Sequence, residues 1–289
     1  MVALVFVSAI FLFLNNLGTK LNKVKGAGKL LSIVCLVFVA SLLSWATALI
    51  TRQTVTKDMI LYAILFAIVF VVGVLSAYQA YARGSMGATS LFGNSSLVVV
   101  VLFGVLFYNE PFGWMKIVGV LGVLFALTML ALPDEKEEGK SFNWSWLLFC
   151  FIILFSNSSL SVASKFRQET AGGSNPFAYM ALCFTFTFVV GGVAYAVSQL
   201  RNNTIKADLL SVQENALPLA IQTVGNTGSN LLVTFLASRV DGSLLYPVNM
   251  GLGLIITVLC GFIVFKEKKT WKNVTGIIVG VAAIILLNI

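Results

Sequence analysis

The sequence predicts an all-α integral membrane protein with ten transmembrane helices, arranged as two inverted five-helix repeats. Three observations carry that prediction. Of 289 residues, 58% are hydrophobic and only 10% charged, with a mean hydropathy of +0.96, whereas a soluble domain carries about 25% charged residues. The few charges are bunched, leaving ten uncharged runs. Finally, the stretch GVLFYNEPFGWMKIVG, Gly104 to Gly119, is echoed 157 residues later by GFIVFKEKKTWKNVTG, Gly261 to Gly276.

The ten runs follow in order. Met1 to Thr19 has no basic region before it and is followed by four lysines, not a small-residue cleavage site, so it reads as a helix and not a signal peptide. Leu30 to Thr51, Met59 to Ala82, Gly84 to Asn109 and Ile117 to Pro133 complete the first half. The most polar linker, PDEKEEGKSFN from Pro133 to Asn143, divides a repeat over residues 1–138 from a second over 139–289. Ser141 to Ser164, Thr170 to Leu200, Asn215 to Ser238, Gly242 to Phe265 and Asn273 to Ile289 form the second half. Pro218 falls at the start of the eighth run, and Pro247 can break the ninth locally. Crossing a hydrocarbon core of about 30 Å takes roughly 20 helical residues. Helices satisfy their own backbone groups in lipid, and the ~10-residue alternating strands of a barrel are absent from the pattern.

The duplication has a topological consequence. Five is odd, so a second half enters the membrane from the side opposite to the first, which makes two related halves an inverted pair. In the repeated motif Gly104 matches Gly261, Glu110 matches Glu267, Trp114 matches Trp271 and Gly119 matches Gly276. Two fainter echoes fall at equivalent boundaries. Thr19-Lys20 matches Ser164-Lys165, and AYARGS at Ala80 to Ser85 matches ASRVDGS at Ala237 to Ser243.

A ten-helix chain in two halves, each with G-x5-E-x3-W-x4-G between its last two helices, resembles the EamA-like transporters of the drug/metabolite transporter superfamily. The resemblance covers nearly the whole chain. It implies a small-solute carrier working by alternating access in an inner or plasma membrane. Members move amino acids, metabolites, nucleotide sugars or drugs, and they hold both termini in the cytoplasm. The charge pattern argues the reverse orientation, with 13 lysines and arginines in odd-numbered loops and six in even-numbered ones.

Residue types exclude several classes. The chain has no histidine, and none of the ten runs holds an acid, so no midplane carboxylate is present to exchange a proton for a cation. Cys35, Cys150, Cys183 and Cys260 stand singly in separate runs without metal-ligand spacing. No nucleophile constellation, metal set or cofactor motif appears, which predicts neither enzyme nor cofactor. The net charge of +8 is spread over short loops, so it reports orientation and not nucleic-acid binding. Glu110 and Glu267 read as interfacial caps beside Trp114 and Trp271, with proton coupling the weaker reading. Lys20, Arg83 and Lys165 read as helix-end residues snorkelling to headgroups.

The runs do contain amides and aromatics, which are costly in lipid unless they face a cavity or each other. Gln222, Asn226 and Asn230 recur at i, i+4 and i+8, along one helical face. The predicted binding residues are Asn16, Trp45, Tyr78, Asn94, Asn157, Gln222, Asn226, Tyr246 and Asn249, lining a cavity near the midplane between the halves. Their lack of charge predicts a neutral or zwitterionic solute such as an amino acid, nucleoside or related metabolite, with drug efflux also in view. The alternative is a receptor or partner subunit that transports nothing. The GxxxG of Gly276 to Gly280 reads as packing between helices, with contact to a second copy as the alternative, so the partners expected are the solute, the bilayer and, under that alternative, a second copy.

Overall fold

The computed structural model describes residues 2–108, 113–131, 143–171, 175–237, 239, 242–267 and 270–287. The described residues form twelve helices and no strand. They are α1 (Val2–Leu21), α2 (Gly28–Ile50), α3 (Asp58–Arg83), α4 (Met86–Asn94), α5 (Ser96–Tyr108), α6 (Trp114–Ala131), α7 (Trp144–Ala171), α8 (Pro176–Asn202), α9 (Ile205–Glu214), α10 (Ala216–Ala237), α11 (Gly242–Ile263) and α12 (Trp271–Leu286). The boundary expected at 138–139 and the linker acids lie outside the described residues, as does Glu110.

Two elements differ from the expected ten. The fourth apolar run is broken at Ser95, where the Val98 N–H bonds to the Ser95 carbonyl at 3.0 Å, three residues back instead of four. The second is α9, too short and polar to span. It is held by Asp208, which accepts from Thr204 Oγ1 at 2.9 Å and from Gln199 Nε2 at 2.7 Å.

Among the described residues six segments are long and apolar enough to cross a membrane: α1, α2, α3, the α4–α5 stretch Met86–Phe107, α7 and α8. Three shorter apolar helices lie in α6, α11 and α12. α10 is not among these because its row of amides lowers its hydropathy. Large apolar side chains such as Leu42, Leu61, Leu121, Phe155 and Val193 stand exposed, the arrangement lipid favours. The chain is a multi-pass integral membrane protein.

The most extensive pairings join the two ends of the sequence. α1 runs along α10, α2 along α8, α3 along α7 and α6 along α12. The buried side chains follow suit. One cluster combines Leu91 and Phe92 of α4, Ala126 of α6, Trp146 of α7, Leu254 of α11 and Ile284 of α12. A second combines Leu36 of α2, Phe66 of α3 and Phe184 of α8.

Glycines set the closest approaches. A Cβ at Gly18 would lie 2.6 Å from Gln222 Cα, and one at Gly225 would collide with the Asn15 backbone nitrogen, so α1 and α10 meet backbone to backbone. At the α6–α12 seam, Gly119 faces Ala283 and Leu287 while Gly276 faces Ala126 and Leu130. Gly280 packs on Leu91 and Ala126. The GxxxG pair proposed as a contact for a second copy is therefore covered within the chain, as small residues in membrane helices often are.

Candidate functional site

A cavity of about 150 Å³ opens between α1, α3, α4, α7 and α10. Its position follows from the packing just described. The close α1–α10 contact brings the amide face of α10 against Asn15 and Asn16, and the break in the fourth run turns the end of α4 toward α7. Six amides line it: Asn15, Asn16, Asn94, Asn157, Gln222 and Asn226. Thr19, Thr89 and Ser90 add hydroxyls, Phe70 and Tyr81 add rings, and among the described residues no charged side chain contributes.

Several of these groups are held in place by their neighbours. Asn16 Nδ2 donates to Ser90 Oγ at 3.0 Å and to Thr257 Oγ1 at 3.3 Å, tying α1 to α4 and α11. Asn157 Nδ2 donates to the Gly93 carbonyl at 3.2 Å, beside the break that ends α4. Tyr78 donates to Gln222 Oε1 at 2.8 Å. Asn94 differs, because its buried Nδ2 has no hydrogen-bond partner. A buried amide donor without a partner costs on the order of 1–3 kcal/mol.

The structure brings Asn16, Asn94, Asn157, Gln222 and Asn226 together at this cavity. Tyr78 sits one bond behind, fully enclosed against Gln222. Trp45 lies elsewhere, in the α2–α8 contact, donating from Nε1 to Thr185 Oγ1 at 3.0 Å. Asn249 is buried away from the cavity, accepting from Ser8 Oγ at 3.0 Å. The side chain of Tyr246 is outside the described residues. Asn230 closes back on its own helix, donating to the Asn226 carbonyl at 2.8 Å.

Asn15, Thr19, Tyr81, Thr89 and Ser90 line the cavity although they are not among the predicted binding residues. Asn15 and Thr19 share the spacing of one α1 face with Asn16, which was a usable signal. The hydroxyls gave none, since serine and threonine also bond back to their own helix, as Thr19 does to the Asn15 carbonyl at 2.7 Å.

Lys20 and Glu267 depart from their expected roles. Lys20 does not reach for headgroups; its Nζ donates to the Tyr81 and Gly84 carbonyls at 2.7 and 2.6 Å. Glu267 does not cap α12, where Thr270 accepts from the Asn273 N–H at 3.3 Å. Its Oε1 accepts instead from the Met86 N–H at the start of α4, at 2.6 Å. Arg83 is exposed and lies over the Phe149 ring at 5.0 Å. The side chain of Lys165 is outside the described residues.

An all-helical, multi-pass integral membrane protein with a polar, uncharged internal cavity is the class these features define. No family model matches the chain. It is similar to the "Probable glucose uptake protein GlcU" of Priestia megaterium, with 25% identity over 205 residues, 67% of this chain and 64% of that protein. The chain thus matches just under two thirds of that relative's length. It is also similar to the "Multidrug resistance protein EbrB" of Bacillus subtilis (strain 168), 26% identical over 100 residues, 34% of this chain and 86% of that protein. A solved structure covering 98% of this chain and 95% of its own shares the fold with a TM-score of 0.54 at 13% identity. Both named relatives are transport proteins and not enzymes.

Proposed function

We propose that this chain is a carrier for a small, uncharged polar solute, working by alternating access between two inverted five-helix repeats. The observation that carries the reading is the cavity itself, walled among the described residues by six amides from both halves of the sequence and by no charge. Amides as interhelical glue are worth only about 0.6 kcal/mol each in a membrane. Glue does not account for a part-open space at which five helices converge, or for the Asn94 amide donor beside it that has no partner.

The packing supports the inverted repeat. If each helix of the first half has a counterpart in the second, with α4 and α5 counted as one, then the α1–α10 contact has its mate in α3–α7, while α2–α8 and α6–α12 are their own mates. At the α6–α12 seam the agreement reaches single residues. Gly119, Ala126 and Leu130 on α6 correspond to Gly276, Ala283 and Leu287 on α12, all at an offset of 157, and each glycine packs against the other set's alanine and leucine. A relative that aligns over most of its own length with a third of this chain fits a fold built from half-sized units.

The lining favours a polyhydroxylated solute such as a monosaccharide. Amides offer paired donors and acceptors that suit adjacent hydroxyls, and Phe70 and Tyr81 offer apolar surface for ring carbons. The name of the first relative points the same way. Export of a cationic solute lacks support here, because among the described residues no carboxylate lines the cavity. At about 150 Å³ the cavity is below the roughly 300–1,000 Å³ of drug-sized pockets, which fits a solute of few heavy atoms or a partly closed state.

The test is solute-dependent thermal stabilisation of the purified protein across monosaccharides, amino acids, nucleosides and quaternary amines. A solute at 100 times its dissociation constant adds about 2.7 kcal/mol of stability. Neutral polyols are expected to shift the transition, and Asn226→Ala to abolish the shift. A response to quaternary amines alone would overturn the reading.

A further inference from the structure

The charged pair at Lys20 and Glu267 is not absorbed by the proposed cavity, and its placement is specific. A second hollow, a vestibule of about 380 Å³, is lined by Lys20, Gly84, Ser85, Phe265 and Glu267. The vestibule and the cavity follow each other along the same helices. On α1 Thr19 faces the cavity and Lys20 the vestibule; Tyr81 at the end of α3 faces the cavity, and Gly84 just beyond that helix the vestibule; on α4 Thr89 faces the cavity and Gly87 the vestibule. Lys20 and Glu267 both line the vestibule, and Lys20 Nζ bonds the carbonyl of Tyr81, a residue that lines the cavity.

The contact joins four parts of the chain. Lys20 Nζ bonds the carbonyls of Tyr81 and Gly84, where α3 ends. Glu267 Oε1 receives the first amide of α4 from Met86 and lies 3.9 Å from Lys20 Nζ. A cation thus sits at the negative end of one helix and an anion at the positive end of the next, which stabilises both dipoles at once. The two side chains are only 17% and 13% exposed. Gly261 makes the arrangement feasible, because a Cβ there would lie 2.6 Å from Glu267 Oε2. The G-x5-E spacing of the motif is therefore the footprint of a carboxylate folded back over the end of α11.

We propose that Lys20 and Glu267 form a gate that closes the cavity on the face carrying residues 22–27, and that separating them opens the cavity to the vestibule. The proposal rests on the carrier reading. Closing is favoured because the pair, once apart, leaves two helix ends and two largely buried charges without partners, and opening is a discrete event because four segments share one contact.

The test uses the full chain in oriented vesicles, with Ala77, a cavity residue, replaced as Ala77→Cys. Reaction with a membrane-impermeant maleimide is followed from each face, the parent chain with its four native cysteines giving the baseline and Lys25→Cys marking the face. Glu267→Ala is expected to raise Ala77→Cys labelling from the marked face by about tenfold or more, the scale of losing a charge-assisted hydrogen bond. Glu267→Gln keeps an acceptor for Met86 but not the ion pair, and is expected to give a smaller rise. Lys20→Met provides the same readout should Glu267→Ala fail to fold. Unchanged labelling in the folded variants, or an equal rise from both faces, overturns the gate and leaves the carrier reading standing. No labelling from either face in any variant overturns both.

Discussion

The α6–α12 seam and the α1–α10 seam both rely on glycine, yet they serve different ends. In the first, Gly119 and Gly276 each receive a leucine side chain and, slightly farther off, an alanine carbonyl, and the contact is symmetric. In the second, Gly18 and Gly225 let backbones touch, and the amides beside them face a cavity. Side chains yield more easily than backbone, so the first seam tolerates change that the second does not. The comparison separates packing that holds the bundle together from packing that builds the site.

A graded glycine series would test this most sharply. Gly225→Ala drives a methyl group into the Asn15 backbone, and it is expected to cost at least the roughly 3 kcal/mol at the upper end of overpacking. Gly119→Ala meets a leucine side chain at 2.9 Å and a carbonyl at 3.0 Å, so a loss of about 1 kcal/mol is expected. Gly192→Ala has open space around it and is expected to be neutral or to gain up to ~1 kcal/mol from helix propensity. Thermal unfolding of the three variants in detergent checks the order, and equal losses at Gly225 and Gly119 would erase the distinction.

The next effect falls on function. Gln222→Ala is expected to remove the solute-dependent thermal shift and to lower unliganded stability by about 1–3 kcal/mol, since it leaves the buried Tyr78 O–H without its acceptor. Tyr78→Phe removes the O–H that holds Gln222, so solute affinity is expected to fall by about threefold, the equivalent of that same bond energy; solute titration of the variant would show it. The smallest effect is expected at Trp45→Phe. The Nε1 bond to Thr185 lies in the α2–α8 contact, so a small stability loss with unchanged solute affinity is the outcome, and a large affinity loss would return Trp45 to the site.

Part of this molecule was legible before any coordinates. Lipid admits few backbone solutions, so uncharged runs of about 20 residues announce helices, and the i, i+4 spacing of Gln222 and Asn226 announced a shared polar face. The break at Ser95 and the short α9 were not legible, because each is set by contacts from other helices: Asn157 on the Gly93 carbonyl, and Gln199 on Asp208.

By itself the sequence determined the membrane class, the doubled Glu-bearing motif and the absence of acids and histidine from the apolar runs. These are local or compositional properties, and hydropathy reads them directly. Only the tertiary structure decided which amides share a cavity, that Trp45 and Asn249 do not, and that Glu267 reaches across to α4 and not to the helix that follows it. The physical reason is that helices in lipid are not sorted by a hydrophobic driving force. Their neighbours are chosen by close fit at small residues and by polar bonds between segments far apart in the chain, and Lys20 and Glu267 meet only after that choice is made.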